Sequence, residues 1–158
     1  MSIEIVSGDI LEAPVNIICQ QVNCRGAMEA GLAKQVKQKY PFVYEEYRNE
    51  CMITPISDLL GFTQIVMIDK YHYIANLFAQ LNYGEERCYT NYYSLIRCFE
   101  QLFDYASRYN FSVGIPYGIG CGLAGGNWKT VSTIIELTAA KYADLDIRLY
   151  KRVENGIR

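Results

Sequence analysis

Five glycines fall within nine consecutive residues, 118–126, directly after the apolar segment Val113–Pro116. Glycine has no Cβ, so consecutive backbone amides in such a segment can turn inward and meet an anion at close range. Asn127 follows the segment and belongs to a residue type that caps helices, and the positive N-terminal end of a helix strengthens an anion-binding field. The segment therefore indicates a loop that binds a phosphate-bearing ligand.

The spacing of these glycines matches neither of two common phosphate-binding motifs in full. No Lys-Ser or Lys-Thr pair directly follows a glycine of the segment, as a P-loop requires, and the stretch from Gly118 to Leu123 lacks the third glycine of the dinucleotide fingerprint. Gly120, Gly122 and Gly125 fit that fingerprint only as an isolated pattern. A tight strand-to-helix connection that binds nothing is the alternative interpretation.

Composition limits the function classes. The length of 158 residues suits one domain, spanning residues 1–158. The net charge of -2, from 15 Lys and Arg against 17 Asp and Glu, provides no overall basic field for nucleic acid or an anionic membrane. No apolar run approaches the ~18 residues of a membrane span, and the N-terminus lacks the pattern of a secretory signal. We therefore expect a cytoplasmic protein without general nucleic-acid binding.

Metal and disulfide chemistry are not indicated. The six cysteines include no C-x-x-C pair, and His72 is the single histidine of the chain. This pattern favours reduced core thiols over structural zinc or a disulfide framework, and we expect neither a metal nor another cofactor. His72 lies between two tyrosines in a strand pattern, which favours a structural or surface histidine over a catalytic base.

The chain alternates strand and helix patterns. Short apolar segments rich in β-branched or aromatic residues predict strands at 3–6, 16–22, 63–68, 73–78, 112–115 and 145–150. Apolar positions at helical spacing predict helices at 31–40, 42–51, 92–106 and 128–138. This alternation predicts an α/β fold with helices on both faces of a central sheet. The last strand alternates apolar and polar residues, which is typical of an edge strand with one wetter face.

Two loops should meet at one edge of that sheet. Ligands of α/β sheets bind beyond the carboxyl ends of the strands. Residues 23–33 follow the second predicted strand, and residues 118–126 follow the fifth; both are small-residue turns that lead into a helix. We expect them to form two clamps able to grip a pyrophosphate from either side.

The chain resembles the macrodomain family in several motifs. The matching segments are Gly8-Asp9-Ile10, Val22-Asn23-Cys24-Arg25-Gly26 with Gly31-Leu32-Ala33, and Ile119-Gly120-Cys121-Gly122-Leu123 with Trp128. Their order and spacing agree over nearly the whole chain. The resemblance is greatest to the branch of ADP-ribose-1″-phosphate phosphatases and of terminal and DNA ADP-ribose glycohydrolases. It implies a three-layer α/β/α macrodomain fold with a central mixed sheet, and ADP-ribose or a derivative as the ligand.

The resemblance also implies roles for individual residues. Asp9 would accept a hydrogen bond from the adenine amine, Asn23 would orient the distal ribose hydroxyls, and Tyr150 would stack on the adenine. The implied ligand-binding residues are Asp9, Ile10, Asn23, Gly26, Gly31, Ala33, Gly120, Cys121, Gly122, Leu123 and Tyr150. The residue types alone leave other interpretations open: Asp9 as a turn or helix cap, Asn23 as a turn former and Tyr150 as a packing residue.

Three catalytic groups of the resembled enzymes are absent. Gln80 occupies the place of a nucleophilic lysine, Ala124 that of an acidic residue, and Gln20 that of a phosphatase histidine. An amide cannot replace a nucleophilic amine. One hypothesis is hydrolysis of an ADP-ribose phosphate, ester or glycosidic adduct by a water that Asn23 and Gln20 position. The other is a noncatalytic ADP-ribose-binding module.

Overall fold

The computed structural model describes residues 1–153 as a layered arrangement of strands and helices. The strands are β1 (Ser2–Ser7), β2 (Ile17–Asn23), β3 (Thr63–Asp69), β4 (His72–Gln80), β5 (Val113–Pro116) and β6 (Asp146–Lys151). The helices are α1 (Gly31–Lys39), α2 (Pro41–Ile53), α3 (Ile56–Leu59), α4 (Tyr92–Tyr109) and α5 (Trp128–Ala139). A 3-10 turn covers Ile10–Glu12. The six predicted strands and four predicted helices are confirmed, whereas α3 and the 3-10 turn are too short to have produced a periodic signal.

The strands form one mixed sheet in the order β1-β6-β5-β2-β4-β3. Every neighbouring pair is parallel except β3 with β4, which is antiparallel. The predicted α/β fold with a central mixed sheet is confirmed. The parallel pairing brings the carboxyl ends of β1, β6, β5, β2 and β4 to the same edge of the sheet.

The prediction that the last strand lies at an edge is wrong. β6 pairs with β1 on one side and with β5 on the other, so β1 and β3 are the edge strands. The polar residues that suggested an edge pair with each other, because Arg148 Nη2 donates to Asp146 Oδ2 at 2.9 Å. Both side chains are only half-buried. A central strand can therefore carry alternating charges where its outer face stays partly wet.

Helices cover both faces of the sheet. On one face, α4 buries an apolar stripe that packs with Ile17 and Cys19 of β2 and with α5. On the other face, α1 and α2 bury Val36, Val43 and Tyr47 against the sheet. No helix within residues 1–153 is both long and apolar enough to cross a membrane.

A chain of side-chain amides crosses the sheet under α2. Gln64 Nε2 donates to the Glu46 carbonyl at 3.0 Å, Asn76 Nδ2 donates to Gln64 Oε1 at 3.0 Å, and Gln20 Nε2 donates to Asn76 Oδ1 at 2.9 Å. A main-chain carbonyl can only accept, so this anchor fixes which way each amide points. Asn76 is fully buried, which makes it the central link of the chain.

Replacing Asn76 by Ala should therefore destabilise the protein. The change leaves Gln20 Nε2 and Gln64 Oε1 without their partner in the core, and we expect a loss of about 2–4 kcal/mol in the free energy of unfolding. Asn49 is an exposed amide on α2, and Asn49→Ala should stay within about 0.5 kcal/mol of the wild type. Urea unfolding measures both values. Equal stability of the two variants would show that the amide chain contributes nothing.

Candidate active site

A groove follows the edge where the five parallel strands end. It consists of three cavities, which we call the first (about 610 Å³), the middle (about 250 Å³) and the distal cavity (about 410 Å³). Leu32 and Tyr117 line both the first and the middle cavity, and Gln80 and Leu123 line both the middle and the distal cavity. These shared walls make the three cavities one continuous groove.

The first cavity combines a carboxylate with a free amide. Asp9 and Ile10 both line it. Asp9 Oδ1 accepts from the Leu11 amide at 2.9 Å and so caps the 3-10 turn, while the structure gives Oδ2 no partner within residues 1–153. The Ile10 amide likewise has no acceptor in that part of the chain. Asp9 is thus a cap and a cavity residue at once, and the pair offers one acceptor beside one donor.

Two tyrosines form the aromatic wall of the first cavity. Tyr150 lines it, but this side chain is 7% exposed and packs in the core with Val15 and Ile18. Tyr117 is more accessible, and its ring lies 4.7 Å from that of Trp128. Sequence reasoning missed Tyr117, although its place directly after β5 put it at the carboxyl edge of the sheet. A flat ring entering this cavity would meet Tyr117 more readily than Tyr150.

The middle cavity contacts the start of α1, which carries no side-chain cap. Ala30 occupies the N-cap position and has no hydrogen-bonding side chain. The amides of Gly31, Leu32 and Ala33 have no acceptor within residues 1–153. By contrast, Asn91 caps α4 and, as predicted, Asn127 caps α5. Unpaired amides at a helix N-terminus attract an anion.

The glycine loop forms the opposite wall of the middle cavity. The amides of Gly120, Gly122 and Leu123 have no acceptor in the described residues, and all three residues line this cavity. Cys121 differs from the expectation, because its amide donates to the Gly118 carbonyl at 2.9 Å and closes a turn. Burial raises the pKa of the Cys121 thiol to about 11, so this thiol stays neutral near pH 7. Cys121 therefore shapes the loop and presents no amide to the cavity.

The middle cavity combines unpaired amides with an uncharged lining. The amides belong to α1 and to the glycine loop, and none of the lining residues within 1–153 is charged. Consecutive amides of this kind carry fixed partial positive charge that neither titrates nor moves. Two facing sets of such donors suit a ligand with two linked phosphates.

The distal cavity is lined by buried amide side chains. Asn23 is 7% exposed and is hydrogen-bonded within its own loop. Gln80 is 9% exposed; its Oε1 accepts from Gln21 Nε2 at 2.9 Å and its Nε2 donates to the Asn82 carbonyl at 2.8 Å. No lysine lines this cavity in the part of the chain described. The cavity thus holds no amine that could attack a sugar carbon.

Carboxylates form the charged part of the distal cavity. Its charged lining residues are Glu29, Glu85 and Glu86. Glu29 also pairs with Lys37 at 3.1 Å, and a hydrogen bond from the Tyr89 hydroxyl lowers the pKa of Glu86. The distal end of the groove is therefore acidic, in contrast to its uncharged middle.

Other predicted residues lie outside the groove. Gly26 does not line any of the three cavities, and its carbonyl accepts from Tyr44 Oη at 3.3 Å. His72 lies at the start of β4, at the opposite edge of the sheet, where Nδ1 contacts Asp69 at 2.8 Å. No cluster of three or more potential metal ligands occurs within residues 1–153.

Comparisons with known proteins show short matches in sequence and long matches in structure. No family model matches the chain. A DNA ADP-ribosyl glycohydrolase from Mycobacterium tuberculosis is 40% identical over 45 residues, which are 28% of this chain and 13% of the relative. An ADP-ribose 1″-phosphate phosphatase from Aspergillus oryzae is 39% identical over 51 residues, 32% of this chain and 25% of the relative. These matches therefore span only a small part of both relatives.

The solved structures cover the chain almost completely. The macrodomain of Mycobacterium tuberculosis DarG superposes with a TM-score of 0.79 at 25% identity, covering 94% of this chain and 97% of that one. The chain has the macrodomain fold. The groove brings together most of the residues that the sequence singled out. They are Asp9, Ile10, Gln20, Asn23, Gly31, Ala33, Gly120, Gly122, Leu123 and Tyr150.

The two central loop glycines differ in what a side chain would meet. Gly120 has a φ of 74°, and a Cβ there would lie 2.7 Å from Gln21 Oε1, whereas a Cβ at Gly122 would meet nothing within 4 Å. We expect Gly120→Ala to lower the free energy of unfolding by about 2 kcal/mol, because an L-residue is strained at that φ and Gln21 must shift. Gly122→Ala is the matched control and should unfold like the wild type in a thermal melt. Similar losses in both variants would contradict this assignment of the loop conformation.

Proposed function

We propose that this macrodomain binds ADP-ribose along the groove. The adenine occupies the first cavity, the diphosphate the middle cavity and the distal ribose the distal cavity. The single observation that carries the proposal is that two sets of amides without an acceptor within residues 1–153 border the same cavity, those of Gly31, Leu32 and Ala33 and those of Gly120, Gly122 and Leu123. Such donors bind a diphosphate without needing a cationic side chain.

The ends of the groove suit the two ends of ADP-ribose. Asp9 Oδ2 can accept from the exocyclic amine of adenine, and the Ile10 amide can donate to a ring nitrogen. Tyr117 supplies an aromatic surface for the base. Polar, uncharged groups at the distal end suit sugar hydroxyls. Both partial relatives named above act, by their names, on ADP-ribose groups, which supports the same ligand here.

Calorimetric titration with ADP-ribose tests this proposal. We expect about micromolar affinity, equivalent to roughly -8 kcal/mol. AMP should bind more weakly because it lacks the second phosphate and the distal ribose. The absence of both heat and a thermal shift at millimolar ADP-ribose would eliminate the proposed function.

Ala30→Asp distinguishes the role of the α1 amides in ligand binding from their role in the stability of the helix. Both quantities are measured on the same variant. An aspartate at this exposed N-cap position should stabilise α1 by about 1 kcal/mol, yet weaken ADP-ribose binding at least tenfold by occupying the amides and repelling the phosphates. Ala30→Ser caps α1 without charge, so it should show a similar gain in stability with a smaller loss of affinity. Unchanged affinity in both variants would remove α1 from the phosphate site.

Hydrolysis of an ADP-ribosyl adduct is the activity that we propose in addition. The carboxylates Glu29 and Glu85 line the distal cavity and are able to accept a proton from a water, as hydrolysis requires. The lack of a lining lysine argues for direct attack by water rather than for a covalent adduct. We assign to Asn23 the positioning of the substrate in this cavity. We assign a supporting role to Gln20, which is 2% exposed and hydrogen-bonded within the amide chain.

The hydrogen bonds that these side-chain amides make within the protein favour the second candidate, a noncatalytic ADP-ribose-binding module. Asn23 and Gln80 use both the oxygen and the nitrogen of their side-chain amides in hydrogen bonds within the protein, and Gln20 is 2% exposed. Burial and these contacts limit the access of a substrate to the three amides. Turnover measurements distinguish this module from the hydrolase.

The acidic distal end limits the substrate class of a hydrolase. Glu29, Glu85 and Glu86 would repel a terminal phosphate or a DNA strand, with energies of the order of 1 kcal/mol for each close charge pair at the surface. An uncharged or cationic leaving group avoids this repulsion. We therefore propose an ester or a glycosidic adduct on a protein, rather than the 1″-phosphate or DNA, as the substrate class.

A substrate panel measures this preference. We expect release of ADP-ribose from ester or glycosidic adducts on peptides with at least tenfold higher kcat/KM than release of phosphate from ADP-ribose 1″-phosphate. The double variant Glu85→Gln/Glu86→Gln should lower the ratio of these two kcat/KM values. Glu136→Gln, on the exposed side of α5, should leave the ratio unchanged. Bound ADP-ribose without turnover of any substrate would establish the noncatalytic module, and faster phosphate release would contradict the substrate class.

A further inference from the structure

The amide of Asn23 is oriented by groups that can only donate or only accept. The backbone amides of Arg25 and Ala27 point to Asn23 Oδ1 at 2.9 and 3.4 Å. Asn23 Nδ2 donates to the Ala27 carbonyl at 2.9 Å. Because a backbone N–H cannot accept and a carbonyl cannot donate, these contacts identify the oxygen and the nitrogen of the side chain without ambiguity.

The remaining hydrogen-bonding capacity of Asn23 is one N–H. Its Oδ1 accepts from the two backbone amides and from the Tyr47 hydroxyl, which exceeds the two lone pairs of an amide oxygen. Its Nδ2 has two hydrogens, and the Ala27 carbonyl uses one of them. Asn23 lines the distal cavity and can therefore act there only as a donor. In this geometry Asn23 cannot also accept from a ribose hydroxyl.

Tyr47 connects this amide to the protein core. Its hydroxyl oxygen lies 2.8 Å from both the carbonyl oxygen and Oδ1 of Asn23, so its one hydrogen is shared between these two acceptors. The Tyr47 ring is fully buried on α2 and stacks on Phe78 of β4 with centroids 5.6 Å apart. Burial strongly raises the pKa of Tyr47, so the hydroxyl stays protonated and keeps donating near neutral pH. The other two donors, the amides of Arg25 and Ala27, lie close to Asn23 in the sequence. Tyr47 instead reaches Asn23 from a separate element, α2.

We propose that Tyr47 is a positioning residue that holds Asn23 as a single donor toward an oxygen lone pair of the distal ribose. This inference rests on the proposed function, because it places that ribose in the distal cavity. It assigns to Asn23 the orientation of the sugar and excludes it as a base that removes a proton. Any base must then come from another group of the distal cavity.

Tyr47→Phe removes the hydroxyl and keeps the ring. We expect it to weaken ADP-ribose binding about tenfold in a calorimetric titration, while ADP, which has no distal ribose, binds within about twofold of wild type. Asn23→Asp keeps the acceptor and deletes both N–H groups, including the one that donates to the Ala27 carbonyl, so it should show at least the same loss for ADP-ribose. The matched control is Tyr44→Phe, because Tyr44 Oη contacts the same loop at the Gly26 carbonyl and does not contact Asn23. Equal losses for ADP and ADP-ribose in Tyr47→Phe would reduce Tyr47 to a structural residue, and no loss would overturn the proposal.

Side-chain amide NMR separates this inference from the proposed function. In the wild type, the two Asn23 amide protons should give sharp, separate signals, and one should shift on addition of ADP-ribose but not of ADP. In free Tyr47→Phe the pair should broaden or move, whereas in free Tyr44→Phe it should not. If wild type binds no ADP-ribose, the proposed function and the ligand contact fail together, and the free-protein spectra still decide whether Tyr47 positions Asn23. Identical spectra of free wild type and Tyr47→Phe would refute that positioning.

Discussion

The groove depends on main-chain amides that the fold leaves without acceptors. Buried or half-buried amides are nearly always paired, since an unpaired one costs free energy comparable to a lost hydrogen bond. Here, unpaired amides collect at two places, the start of α1 and the glycine loop, and both border the same cavity. On the opposite face, α4 and α5 carry asparagine caps, whereas α1, like α2 and α3, begins without a side-chain cap. The uncapped α1 is a local loss of stability that a bound anion would recover.

This use of neutral donors explains how an acidic protein can bind a phosphate ligand. The net charge is -2, and the middle cavity is lined by no charged residue in the described chain. A polyanion such as DNA gains affinity from many lysine and arginine contacts to its phosphates, and this groove offers no such series. The two sets of unpaired amides instead favour the binding of a short diphosphate that fits between them. The carboxylates at the distal end sharpen this preference, because they disfavour any phosphate beyond that pair.

Sequence patterns predicted the parts of this architecture that depend on local rules. The glycine segment, the cap at Asn127 and the six strands follow from φ preferences, capping chemistry and apolar alternation, which act over a few residues. The place of β6 in the sheet could not be predicted, because the pairing of Asp146 with Arg148 imitates the wet face of an edge strand. The hydrogen bond of the Cys121 amide could not be predicted either, since only the turn geometry shows that it donates to the Gly118 carbonyl. Tyr47 gave no signal at all, because its partner Asn23 is 24 residues away.

The buried polar side chains of the distal cavity are amides, whereas its carboxylates are exposed. Gln64 is anchored on the Glu46 carbonyl and Gln80 on the Asn82 carbonyl, and each anchor determines the direction of the amides that follow. An amide held in this way cannot exchange donor for acceptor during a reaction, unlike a histidine or a carboxylate. Chemistry that moves a proton must then involve the carboxylates at the rim, while the amides define where the sugar lies. Recognition of the sugar thus depends on uncharged amides with fixed orientation. Any proton transfer depends on the exposed carboxylates. A sequence with lysine at Gln80 would unite the two at one buried position of the distal cavity, which three carboxylates also line.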